Sequence, residues 1–182
     1  MKASTIKGLG TLAAGLLAVL AAPAAAQLST TANGPYYATP SWDQKLTTSR
    51  FVILLNWNSE AVLDRETGLV WERSPDTSQR GWANALYHCN NRAVGVRKGW
   101  RLPSVQELAS LVDPTVFPGP TLPAGHPFLN VQSDYYWSAA TNASDAARAW
   151  VVMFASGNVF NGPKSDLFYV WCVRGGQGPD AQ

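Results

Sequence analysis

The chain has 182 residues, a length that suits a single domain. Its formal net charge is +2, but two of its 14 Lys and Arg, and none of its 12 Asp and Glu, precede residue 27, so the rest is neutral. The densest basic stretch, residues 97–101, is too short to neutralise a run of phosphates. The composition therefore argues against a nucleic-acid partner.

The first 26 residues have the organisation of a secretory signal peptide. Lys2 and Lys7 precede an apolar run over residues 9–20, and the small residues 24–26 form a cleavage site. The run is shorter than the roughly 20 residues that a membrane-spanning helix needs. We therefore expect an exported bacterial protein, periplasmic or extracellular, with no membrane span after signal cleavage.

Three segments are predicted to follow the leader. Residues 27–48 are polar and rich in turn residues, which is typical of an extended N-terminal arm. Residues 49–176 carry the strand and helix signals of the folded domain, and residues 177–182 are expected to be a flexible tail.

The chain has two cysteines, Cys89 and Cys172. An even count in an exported chain favours a disulfide, because the compartment is oxidising. A metal or redox site is the alternative, but His88 is the only candidate ligand beside either cysteine in the sequence.

Strands dominate the first part of the domain. The apolar residues between 50 and 57 predict a strand that is covered on both faces. Residues 61–63 and 69–71 predict two more strands, joined by a turn in which Asp64 bonds to the following backbone and Gly68 adopts a positive φ.

Two helices are predicted next. Residues 81–94 place Trp82 and Cys89 on one apolar stripe. A second helix begins after Pro103, where Ser104 and Glu107 have the spacing of a capping box, in which each side chain satisfies a free backbone N–H of the first turn.

A proline-rich loop, residues 114–134, follows the second helix and is a candidate ligand surface. Strand signals return over residues 135–137, 149–154, 159–160 and 168–174. The order of elements predicts an α+β fold with two helices packed on a small antiparallel sheet and a long irregular loop region.

Several ordered motifs between Ala61 and Gly175 resemble the DUF1566 family, which includes the C-terminal domain of the Legionella collagen-like adhesin. They are Thr67–Trp71, Gly99–Pro103, Tyr136–Ser138, Ala149–Val151 and Tyr169–Arg174. The resemblance implies a C-type-lectin-like fold, a disulfide from the first helix to the last strand, which fits Cys89 and Cys172, and an adhesin-like domain that binds glycans.

Other properties of those fold relatives are not expected here. The calcium-binding motifs of sugar-binding C-type lectins are missing from the sequence. The resemblance also implies a fold similar to that of formylglycine-generating enzymes, which depend on reactive cysteines and copper, but Cys89 and Cys172 are expected to pair with each other. We therefore predict neither a metal nor a cofactor.

Most of the residues in these motifs are predicted to be structural. Arg101, between Trp100 and Leu102, needs carboxylate or carbonyl partners and is predicted to join the entry of the second helix to the sheet. Structural roles are also expected for Gly68, Ser104 and Glu107 and for the tryptophans of the motifs, Trp71, Trp82, Trp100, Trp137 and Trp150.

The candidate ligand contacts are aromatic and cationic. They are Tyr135, Tyr136, Trp171, Arg148 and Lys164. Trp171 is included because neighbours in a strand point to opposite sides, so that Trp171 faces away from the helix that Cys172 faces.

These residues favour an exported, non-catalytic binding module that recognises a polysaccharide or a cell-surface protein. One alternative is an extracytoplasmic carbohydrate-active hydrolase that uses two of five carboxylates, Asp64, Glu66, Glu72, Asp134 and Asp145. The other is a structural module that forms oligomers through an aromatic surface.

Overall fold

The structure is a computed structural model, and it describes residues 49–176. The predicted signal peptide (1–26), N-terminal arm (27–48) and tail (177–182) lie outside the described residues. Within that described range, none of the helices has the length and apolarity needed to cross a membrane.

The described residues are mostly β-structure. The strands are β1 Phe51–Ile53, β2 Ala61–Asp64, β3 Val70–Glu72, β4 Asp76–Arg80, β5 Trp100–Arg101, β6 Tyr135–Asn142, β7 Asp145–Met153, β8 Asn158–Pro163, β9 Phe168–Val170 and β10 Val173–Arg174. The helices are α1 Trp82–Asn91 and α2 Val105–Ala109, and a 3₁₀ turn spans Leu55–Trp57.

The strands form two sheets of five, in the orders β1-β2-β3-β10-β5 and β4-β9-β6-β7-β8. The strand pairs are antiparallel except β6 with β9. The prediction of an α+β fold with two helices on one small sheet is therefore wrong. Few residues are helical, because α2 has only 5 residues. Strand β4 could not be predicted, because its polar sequence carries no strand signal of its own.

Two hydrophobic cores lie on opposite faces of strand β6. Trp137 faces the first core, which also contains Trp57, Trp100 and the disulfide. Tyr136 faces the second core, with Trp71, Trp171 and Phe154. The second core is closed partly by the proline-rich loop, which contributes two buried side chains, Leu122 and Phe128.

The start of the domain differs from its predicted form. Residues 50–57 contain only the short strand β1, which lies at the edge of its sheet, and the 3₁₀ turn. The turn between β2 and β3 has the predicted chemistry, because Asp64 accepts a hydrogen bond from Glu66 N and Gly68 has φ +71°.

Helix α1 is fixed by its buried face. Its first turn has no side-chain cap at Gly81, while Ala85 and Cys89 are buried. Cys89 forms a disulfide with Cys172, 83 residues away, which confirms the predicted pairing.

Helix α2 begins with the predicted capping box. Glu107 N donates to Ser104 Oγ, and Ser104 N donates to Glu107 Oε2. Arg101 donates to both oxygens of Glu107, at 2.7 and 2.6 Å, and to the Gly175 carbonyl at 2.6 Å. Arg101 thus joins the helix start to the chain that follows β10.

Candidate functional site

Aromatic rings from strands β6, β8 and β9 meet on one face of the second sheet, in which β7 lies between β6 and β8. Tyr135 on β6 lies with its ring centroid 5.8 Å from that of Phe160 on β8 and 5.2 Å from that of Phe168 on β9. We call these three residues the aromatic face. Tyr135 and Phe168 are half-buried against the first core, whereas Phe160 is 43% exposed, so the face is open to solvent at the β8 edge.

The strand register builds the aromatic face. Trp137 and Phe160 both pair with Val151, which places their side chains on the same side of the sheet, and Tyr135 shares that side by alternation. Gly162 makes room for the third ring, because a Cβ at that position would lie 2.7 Å from Phe168 Cε2. The alternation of side chains along the strands therefore puts the rings on one side, and Gly162 leaves space for Phe168.

Polar groups border the aromatic face at the beginning of β6. Asp134 Oδ1 accepts a hydrogen bond from Tyr135 N, and its other oxygen accepts one from the exposed amide of Gln79 on β4. An apolar surface with a polar border is the usual anatomy of a recognition site.

Tyr136 and Trp171, which were predicted to contact a ligand, are both fully buried. Tyr136 Oη accepts a hydrogen bond from Gln132 N, and burial raises the pKa of this tyrosine far above its ordinary value. Trp171 Nε1 donates to the Glu72 carbonyl, and its ring packs against Phe128 of the proline-rich loop. Neither side chain reaches the surface, where it could contact a ligand.

Alternation had placed Trp171 and Cys172 on opposite sides of the chain, and they do lie in different cores. The inference that Trp171 reaches solvent does not follow, because the proline-rich loop covers that side. Part of this loop therefore belongs to the second core, although Phe117 within the loop is 78% exposed.

The cationic candidates do not converge on the aromatic face. Arg148 donates to the side chain and the carbonyl of Asn161, and alternation along β7 places it on the opposite face from Tyr135. Lys164 donates to Thr141 Oγ1 and lies 3.9 Å above the Trp82 ring. Of the five predicted ligand contacts, only Tyr135 belongs to the aromatic face.

Of the tryptophans predicted to be structural, Trp71, Trp100 and Trp137 lie in the cores and Trp82 packs against the first core. Trp71, Trp100 and Trp137 are buried, and Trp82 and Trp150 are half-buried. Three of these indoles donate to backbone carbonyls: Trp82 to Ser138, Trp100 to Arg97 and Trp137 to Arg80.

A polar hollow of about 380 Å³ lies beside the end of α1, with Glu72 and Arg92 in its wall. Arg92 Nε donates to Glu72 Oε1 at 2.6 Å, and Cys172 N donates to Glu72 Oε2 at 3.0 Å. Burial raises the pKa of Glu72 above its ordinary value, and Arg92 offsets only part of that shift. Glu72 therefore ties β3, α1 and the disulfide together.

A second hollow of about 340 Å³ lies on the other side of Arg92 and is lined by Arg80 and His88. Burial first, and then the neighbouring Arg80 and Arg92, lower the pKa of His88. His88 Nε2 lies 3.7 Å from Asp76 Oδ2, so this histidine forms part of the packing around α1. Among the described residues, no group of three or more His, Cys, Asp or Glu side chains is arranged to hold a metal ion.

The sequence analysis missed Phe160, Phe168 and the Glu72–Arg92 pair. The sequence did contain a signal for Phe160, because a short turn at residues 156–158 implies a hairpin. In that hairpin Phe160 pairs with Val151 and so lies on the same side of the sheet as Trp137. The pairing of β6 with β9 carried no such signal, because it is a single parallel contact between distant segments.

A comparison with protein families identifies the chain. The family model described as the Lcl C-terminal domain matches residues 60–174, which is more than half of the chain and nearly all of the described domain. A comparison with curated proteins finds no match. The chain belongs to the family of the Lcl C-terminal domain.

Proposed function

We propose that this protein is an exported, non-catalytic binding module that recognises a glycan through the aromatic face. The family suggests an adhesin-like binding module. The predicted signal peptide and the buried disulfide support export, since disulfides persist in oxidising compartments.

The observation that carries the proposal is the aromatic face itself. The rings of Tyr135, Phe160 and Phe168 come together from strands β6, β8 and β9 of one sheet, and backbone pairing within that sheet fixes their relative positions. Aromatic side chains offer large apolar area at a low cost in conformational entropy, which suits stacking against the apolar faces of sugar rings. The border of Gln79 and Asp134 offers hydrogen-bonding groups for hydroxyls.

The carboxylates give less support to the hydrolase alternative. Both oxygens of Asp64 are engaged, by Arg50 and by the turn at Glu66 and Thr67. Both oxygens of Glu72 are engaged as well. A glycoside hydrolase needs two carboxylates that flank the scissile bond and are free to exchange protons or attack it.

The test is a glycan array probed with the mature chain, followed by titration of the strongest neutral or acidic glycan that it binds. Replacing Phe160 by alanine is expected to weaken the Kd about tenfold, because truncating a central aromatic contact typically costs more than 1 kcal/mol. Phe117→Ala, which removes an exposed phenylalanine from the proline-rich loop, is the matched control and is expected to bind like the wild type.

The array and titration also distinguish the alternatives. A loss confined to Phe117→Ala would move the site to the proline-rich loop. A wild-type chain that binds no glycan but forms a dimer, which Phe160→Ala dissociates, would support the oligomerising module instead.

A further inference from the structure

A strained turn follows α1. Two backbone hydrogen bonds of 3.1 Å, between the N–H and C=O groups of Val94 and Arg97, close a two-residue hairpin loop. Gly95 and Val96 both have positive φ, +58° and +60°. Such turns favour Asn and Gly, and a β-branched residue in the left-handed region is strained. Yet the Val96 side chain is 87% exposed, so little packing offsets that strain.

The surrounding residues hold the turn in place. Gly95 N donates to Glu60 Oε2 at 2.6 Å, and a Cβ on Gly95 would lie 2.5 Å from Trp57 Cβ. The Arg97 guanidinium lies 4.3 Å from the centroid of the Trp57 ring. The turn is therefore pressed against the 3₁₀ turn, with Val96 at its tip.

Cations surround the base of the turn. Arg97 and Arg174 both lie over the Trp57 ring, and Arg174 Nε donates to the Lys98 carbonyl at 2.9 Å. Lys98 is exposed. Glu60 brings one carboxylate to the turn, which the three cations outnumber.

We propose that the Gly95–Val96 turn is a docking tip for an anionic lipid surface. Val96 enters the apolar boundary of the bilayer, while Arg97, Lys98 and Arg174 meet the headgroups. Leu55, on the same 3₁₀ turn as Trp57, is a second exposed apolar side chain. The proposal is independent of glycan binding at the aromatic face.

The combination of groups favours a lipid surface over a soluble anionic polymer. Lysine and arginine near an anionic bilayer each add attraction that salt screens. A polymer would use those cations equally well, but it would gain little from a strained, exposed valine. A bilayer gains from both, since it removes the apolar tip from water.

The test is co-sedimentation of the mature chain with vesicles of phosphatidylglycerol and phosphatidylcholine, and with vesicles of phosphatidylcholine alone. We expect partition into the anionic vesicles that falls with added salt. Val96→Gly is expected to reduce partition about tenfold, which corresponds to the lower end of the transfer free energy of a valine side chain. Its Tm should not fall, because glycine adopts a positive φ without strain.

A second variant tests the charges. Lys98→Gln is expected to reduce partition into anionic vesicles about fivefold, the factor expected for one cation near such a surface. The matched controls are Val159→Ser on β8 and Lys164→Gln, which are expected to partition like the wild type.

Three results would overturn the proposal. One is equal partition of the wild type into both kinds of vesicle, and another is unchanged partition of both tip variants. The third is a chain that ignores vesicles but self-associates in a way that Val96→Gly abolishes, which would assign the tip to a protein contact.

Discussion

The two helices are held by opposite kinds of contact. α1 has no side-chain cap at its start and is held near its end by the disulfide of Cys89 and by the ion pair of Arg92 with Glu72. α2 is held at its first turn by Ser104 and Glu107, which lie three residues apart. The partners of α1 are 20 and 83 residues away in sequence. A short helix can therefore be anchored either by its own first turn or by distant strands.

Removing the disulfide tests the long-range anchor and should have the largest effect. The double variant Cys89→Ala/Cys172→Ala is expected to lose about 4 kcal/mol of unfolding free energy, because the disulfide closes a long loop in the unfolded chain. Urea unfolding followed by tryptophan fluorescence measures this loss. A change below about 1 kcal/mol would mean that the cross-link contributes little to the anchoring of α1.

Glu72 tests the polar half of the same anchor. Glu72→Ala is expected to cost about 3 kcal/mol, because it leaves Arg92 and the buried Cys172 N–H without their acceptor. Glu72→Gln is the matched control. It should cost less than Glu72→Ala, because the amide oxygen still accepts one of the two hydrogen bonds, although its NH2 group faces the other donor.

The pKa of Glu72 adds a pH dependence to that comparison. Its pKa is raised in the folded state above 4.5, chiefly by burial, so the folded chain binds more protons than the unfolded chain above that pH. The wild type should therefore lose stability relative to Glu72→Gln as the pH rises from 4.5 through the folded pKa. Parallel unfolding curves across this range would contradict the assignment.

The capping box of α2 should give the smallest effect. Ser104→Ala is expected to lose about 1 kcal/mol, because Glu107 N loses its acceptor while the Arg101–Glu107 pair remains. Ser110→Ala, at the other end of the same helix, is the control, and thermal unfolding of both variants provides the measurement. Equal losses in the two serine variants would mean that the cap has no special role.

The residues of the candidate site, like the anchors of the helices, depend partly on local sequence and partly on contacts with distant strands. Tyr135 was identified from the sequence because it begins a strand after a long loop. Phe160 and Phe168 join it only through the pairing of β6 with β7 and β9 and of β7 with β8. Tyr136, next to Tyr135, could not be told apart from it by sequence, because alternation assigns opposite sides without saying which side is covered.

The sequence by itself determined the local features: the capping box at Ser104, the turn at Asp64 and Gly68, the buried stripe of α1 and the family motifs. It also favoured the pairing of Cys89 with Cys172. Tertiary structure alone decided that the strands form two sheets, and that the proline-rich loop covers Trp171 while Phe160 stays exposed. The reason is physical: caps and turns are satisfied by groups a few residues away, whereas burial depends on which distant segments pack over a side chain.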